Sequence, residues 1–137
     1  SINKEYTLTN DTDGTIVAYV NNEGTITNSN LLTLAGGENN NTITGTGSTT
    51  VSDDFINNGL IEQTNLTVNK DTTLTNTDTA SITSNLVNEG TIENNSKNFT
   101  IKGGNNKGTI TSSTDKTGTI TIDGEFRNEN TINQDII

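Results

Sequence analysis

The chain has 137 residues, of which 26% are hydrophobic and 4% aromatic, and its formal net charge is −10. So few large apolar side chains cannot fill an ordinary compact core, and 17 acidic against 7 basic residues argue against nucleic acid or an anionic membrane as partner, since both need clustered Lys and Arg. With no Cys and no His, disulfides, thiolate chemistry and Cys-ligated zinc are excluded and the usual general base is missing.

Thr and Asn together make up more than a third of the chain. Thr favours strands, while Asn favours turns and left-handed backbone. Pro, Met and Trp are also absent, and so narrow an alphabet points to repeats. The opening stretch, Ser1 to Asn10, lacks the basic and apolar regions of a signal peptide, and no apolar run is long enough for a transmembrane helix.

In chain order, a short strand is predicted at Leu8, flanked by Thr7 and Thr9, and another at Ile16. The phrase Asn22-Glu-Gly24-Thr-Ile26 follows, preceded by Val20, and then the pair Leu32/Leu34 around Thr33. The same order returns with Ile43 between Thr42 and Thr44, Val51, Phe55, Asn57-Asn-Gly59-Leu-Ile61 and Leu66/Val68. A third round contains Leu74 between Thr73 and Thr75, Ile82, Leu86, Asn88-Glu-Gly90-Thr-Ile92 and Phe99/Ile101. The fourth contains Ile110 between Thr109 and Thr111, Ile120, Phe126 and Asn128-Glu-Asn130-Thr-Ile132.

The phrases occupy residues 20–26, 55–61, 86–92 and 126–132, spaced 35, 31 and 40 residues apart. Their third position is Gly24, Gly59, Gly90 or Asn130, the residue types that best tolerate positive φ, so a left-handed turn is predicted there. Asn22, Asn57, Asn88 and Asn128 are expected to bond turn backbone and stack on one another as a ladder, with Ile26, Ile61, Ile92 and Ile132 as a core ladder beside them. The stretches Ala35 to Asn41 and Lys102 to Lys107, rich in Gly and Asn, are predicted as loops that absorb length variation.

Apolar and polar residues alternate in every strand, and no segment has helical periodicity. The prediction is an all-β parallel β-solenoid without helices, a single domain over residues 1–137. It would have about four coils of 31–40 residues, each coil reaching on the order of 110 Å when extended. Two coils of about 17 residues per repeat is the competing arrangement; Ile26 to Ile43 and Ile92 to Ile110 suit it, whereas Ile61 to Leu74 is shorter. An antiparallel sandwich gives no reason for one turn phrase to recur in one register.

The strings Leu86-Val-Asn-Glu-Gly-Thr-Ile92 with Asn98-Phe-Thr-Ile101, and Phe55-Ile-Asn-Asn-Gly-Leu-Ile61 with Asn65-Leu-Thr-Val68, resemble the L-x-N-x-G-x-I pattern of filamentous haemagglutinin-like adhesins and autotransporter passengers. The resemblance covers the whole chain as repeats. It implies a right-handed parallel β-helix on a bacterial cell surface, extracellular, working as an adhesin or fibre.

Close acidic pairs occur at Asp11/Asp13, Asp53/Asp54 and Asp123/Glu125. The last two fall at corners, where solvated turn residues are expected. Glycoside cleavage needs two opposed carboxylates in a sugar-sized groove, so a carbohydrate-active enzyme is only the third reading and no catalytic residues are assigned. No cofactor is expected beyond incidental calcium, which Asp and Asn oxygens suit. The outward residues Thr7, Thr9, Thr42, Thr44, Thr73, Thr75, Thr109 and Thr111 would form a two-wide ladder across four coils. It resembles the ice-binding face of antifreeze solenoids, although strands favour outward Thr in any case.

The leading functional expectation is a structural or adhesive surface element with a glycan or host-surface ligand; ice binding is the alternative. Since neither end shows a capping sequence, the coils are expected either to continue into a longer solenoid or to associate end to end into filaments.

Overall fold

A computed structural model describes residues 1–115 and 117–137. Among them every secondary-structure element is a strand, and every strand pair is parallel. The chain winds into a β-solenoid of about seven coils, roughly 34 Å of stacked strands at the spacing of a parallel sheet.

Each coil has three faces. The first is formed by Thr7–Asn10, Thr25–Asn28, Thr42–Thr44, the leading parts of Leu60–Val68, Ser81–Asn88 and Asn98–Asn106, then Thr119–Ile122 and Asp135–Ile136. The second comprises the leading parts of Thr15–Asn22, Leu31–Asn39 and Ser48–Asn57, the trailing parts of Leu60–Val68, Ser81–Asn88 and Asn98–Asn106, and Phe126–Asn128. The third begins with the trailing parts of Thr15–Asn22, Leu31–Asn39 and Ser48–Asn57. It continues through Thr73–Asn76, Thr91–Asn94, Thr109–Thr111 and Thr131–Asn133.

Successive partners on the first face are 16 to 21 residues apart. The parallel solenoid is as predicted, but its coil is about half the predicted 31–40 residues. The shorter arrangement weighed above is the real one, and one sequence repeat spans about two coils. The short interval from Ile61 to Leu74 has a simple cause. Ile61 lies on the first face and stacks on Ile82, whereas Leu74 lies on the third and stacks on Phe55 and Ile92.

The repeat phrase therefore changes corner midway. Asn22-to-Ile26 and Asn57-to-Ile61 turn from the third face to the first, while Asn88-to-Ile92 and Asn128-to-Ile132 turn from the second face to the third. Ile26 and Ile61 accordingly belong to one stack, and Ile92 and Ile132 to another. They do not form a single core ladder.

Alternation dictates the core. In Thr25–Asn28 the outward residues Thr25 and Thr27 flank buried Ile26, and the same pattern buries Ile43, Ile61, Ile82, Phe99 and Ile120 above it. Each such side chain contributes about 1.5–3 kcal/mol through burial. A line of stacked aliphatics needs few per coil, which reconciles a stable interior with so polar a composition.

The phrase glycines are not left-handed. Positive φ occurs among the described residues at Gly36, Gly37, Gly45, Gly104 and Gly124, and at Glu5 and Asp71. Close approach explains Gly59 instead: a Cβ there would stand 2.0 Å from the Asn41 carbonyl oxygen of the preceding coil. Where the position is Asn, the side chain is used as a tie, and the Asn41 and Asn130 amides donate to the carbonyls of Glu23 (3.0 Å) and Lys107 (3.1 Å). The predicted loops are also mostly strand, since Ala35 to Asn39 and Lys102 to Asn106 complete Leu31–Asn39 and Asn98–Asn106.

The Asn ladder exists, and it is denser than predicted. Along the end of the third face, Asn22 donates to Asn39, Asn39 to Asn57, Asn57 to Asn76 and Asn76 to Asn94, at 2.7–2.9 Å. Asn88 and Asn128 stand in a second ladder, Asn88 to Asn106 to Asn128, at the end of the second face. That ladder begins abruptly because Asn88 stacks on Val68, and the side-chain oxygen Oδ1 of Asn88 is left buried without a partner. A third, shorter ladder joins Asn10 to Asn28.

Glutamine bridges the gaps. The third coil has Gly45 where an Asn would stand, and Gln63 of the next coil reaches past it, accepting from Asn28 (2.6 Å) and Thr49 (3.0 Å) and donating to Gly45 O (3.2 Å). Gln134 repeats the device, passing Ser112 to accept from Asn94 at 3.0 Å. Gln63→Asn, one methylene shorter, would lose the bonds to Asn28 and Thr49. A loss of about 1–3 kcal/mol in urea unfolding is expected, and an unchanged midpoint would show that the bridge contributes nothing.

Candidate functional surface

The eight predicted outward threonines divide between two faces. Thr7/Thr9 and Thr42/Thr44 lie on the first, where Thr25/Thr27 stands between them, giving three consecutive Thr-x-Thr rows. Leu60 and Glu62 end that array in the fourth coil. Thr73/Thr75 and Thr109/Thr111 lie on the third face with Thr91/Glu93 between them, and Thr131/Asn133 follows. The single ladder over four coils is thus two shorter patches about one face apart. Thr25, Thr27 and Thr91 were legible in the phrase itself, as Thr-Ile-Thr and Thr-Ile-Glu, once the coil is halved.

All three acidic pairs are exposed. Asp53 and Asp54 lie at the bend between the second and third faces within Ser48–Asn57. Asp54 N–H donates to Asp53 Oδ1 and Thr73 N–H donates to Asp54 Oδ1, both at 2.8 Å, so each carboxylate is oriented through one of its oxygens. Asp123 pairs with Lys102 Nζ at 2.6 Å, and this hydrogen bond and charge hold its carboxyl below the usual range. Among the described residues no three carboxylates gather as metal ligands.

A recessed surface lies beside Asp53 and Asp54. It is an open groove of about 580 Å³ whose lining includes Tyr19, Gly36, Asp54, Ile56, Thr73 and Thr75. Four successive coils build it at one corner. Irregular register between Ala18 and Val20, and between Leu34 and Ala35, marks a bulge there, and bulges re-aim the side chains next to them. Tyr19 is turned outward and is 73% exposed. No single stretch of sequence announces this groove, because its residues come from four coils.

No family model matches the chain, and neither the curated proteins nor the solved structures contain a match to it.

Proposed function

We propose that this chain is a structural and adhesive segment of a bacterial surface fibre. The observation that supports this reading is the continuity of the stack, in which aliphatic columns and amide ladders run from coil to coil and leave polar side chains outward on all three faces. Such an array is laterally stiff, and it presents a repeating polar surface at fixed spacing.

Beads coated with the chain are expected to attach to polysaccharide-covered or cellular surfaces above the level of beads coated with an unrelated acidic protein; equal attachment overturns the adhesive part. At the two ends, Leu8, Ile16 and Ala18, and Ile122, Phe126 and Ile132, are only partly covered. A further coil, from this chain's own continuation or a second copy, would cover them in register. Sedimentation that stays monomeric at every concentration argues against stacking of copies.

Ice binding is favoured by one observation, the three consecutive Thr-x-Thr rows on the first face. Thermal hysteresis that Thr25→Lys abolishes would support it; its absence from the parent chain removes it.

A further inference from the structure

The groove at the corner between the second and third faces combines an aromatic platform with fixed hydrogen-bond acceptors. Gly36 explains the platform. A Cβ at this position would lie 3.2 and 3.3 Å from two carbons of the Tyr19 ring, so the ring rests against backbone that carries no side chain. Its φ of +94° also suits glycine. One part of the ring is held by the neighbouring coil while most of it faces solvent. The fold gains little from an aromatic so exposed.

A corner of the same build, between the first and second faces, lacks the aromatic. Gly103 and Gly104 repeat Gly36 and Gly37, Asn85 stands in place of Tyr19, and Glu125 in place of Asp54. Coil packing therefore accounts for the glycines. It does not account for Tyr19 or for the adjoining Asp53.

We propose that this groove binds a pyranose ring of a neutral glycan, its C–H face stacked on Tyr19 and its hydroxyls donating to Asp53 and Asp54. A ring of that kind has an apolar face and vicinal donors, the two features that the groove complements. Each carboxylate keeps one oxygen tied to a backbone N–H, which leaves the other available to accept. Hydrogen bonds to an ionised acceptor are the stronger kind. Thr73 and Thr75 add hydroxyls along the same wall, and among the described residues no Lys or Arg lines the groove to neutralise the acids. Anionic sugars are disfavoured by these carboxylates and by the net charge of −10. An ammonium group would also meet an acidic groove, but pairs with exposed carboxylates are weak and are screened by salt. The volume lies within the ordinary range for small-ligand sites.

The inference supplies a ligand class for the adhesive reading and rests on it only in that respect. Titrations would use oligosaccharides ending in glucose, galactose, mannose or N-acetylglucosamine, with a lysine-rich peptide as the cationic probe, at low and high salt. At least one oligosaccharide is expected to bind equally at both salt concentrations. Tyr19→Ala and Asp54→Asn should each weaken that binding by about tenfold, while Tyr19→Phe stays within about threefold of the parent. Unchanged thermal unfolding of Tyr19→Ala checks that the fold is intact. No oligosaccharide bound, binding unaffected by Tyr19→Ala, or binding of the peptide alone with loss at high salt each overturns the proposal. Coated beads separate the two readings. Beads that attach while no oligosaccharide binds leave adhesion standing without this site; sugar bound through Tyr19 by a chain whose beads do not attach leaves the site standing without adhesion.

Discussion

Asn57→Asp is expected to destabilise the protein by about 3–5 kcal/mol at neutral pH, through a carboxylate buried among acceptors. Asn57 is fully buried and central to the longer ladder. Its amide nitrogen donates to Asn76 Oδ1 (2.9 Å), Gly59 O (3.1 Å) and Ser81 O (3.2 Å), and its oxygen accepts from Asn39 Nδ2 (2.8 Å) and Gly59 N–H (3.3 Å). Aspartate has nearly the same shape but no donor. Three acceptors would then face a negative charge, and both they and desolvation raise the folded-state pKa of the introduced acid. The sign of the pH dependence follows. The penalty is full above that raised pKa and shrinks as pH falls, disappearing below the unfolded value of about 3.9. Urea unfolding at neutral and acidic pH measures it. A pH-independent loss would mean that shape, and not charge, governs the ladder.

Phe55→Ala is expected to cost about 3–5 kcal/mol, the usual range for a buried aromatic replaced by alanine. Phe55 is 1% exposed and stacks on the third face between Gly37 and Leu74. Gly37 offers no side chain to share the space, and it cannot acquire one: its φ is +110° and a Cβ would lie 1.9 Å from the Val20 carbonyl oxygen. The preceding coil therefore cannot collapse into the cavity. Leu86, Gly104 and Phe126 repeat this order on the second face. Coils contact mainly their neighbours, so hydrogen exchange should show the loss concentrated around Phe55, with amides near Ile110 and Ile120 retaining protection. Uniform loss of protection would show that the stack unfolds as one unit.

The fold class was legible because its signals are local. Alternation in Thr42-Ile43-Thr44 shows which side chains are inward, and Asn22, Asn57, Asn88 and Asn128 each mark a corner. The intermediate members, Asn39, Asn76, Asn94 and Asn106, were visible as asparagines at coil spacing. Asn39-Asn-Asn41-Thr-Ile43 and Asn106-Lys-Gly108-Thr-Ile110 carry the same phrase as the four named copies and mark the shorter coil, whereas Asn76 and Asn94 lack its closing Thr and Ile. The groove was not legible. Tyr19, Gly36, Asp54 and Thr73 gain their relation only when four coils are stacked.

The sequence by itself therefore determined a parallel β-solenoid, its inward aliphatics and its amide-lined corners, since each depends on neighbours within a few residues. The face to which each strand belongs and the splitting of the threonine ladder were decided by tertiary structure. The physical reason lies in the likeness of the faces. All three accept the same in-out alternation and end in an amide ladder, so shortening one repeat from 35 to 31 residues moves the phrase back to the preceding corner while its local interactions stay the same. Only the stacking of Ile61 on Ile82 and of Leu74 on Phe55 and Ile92 specifies which corner that is.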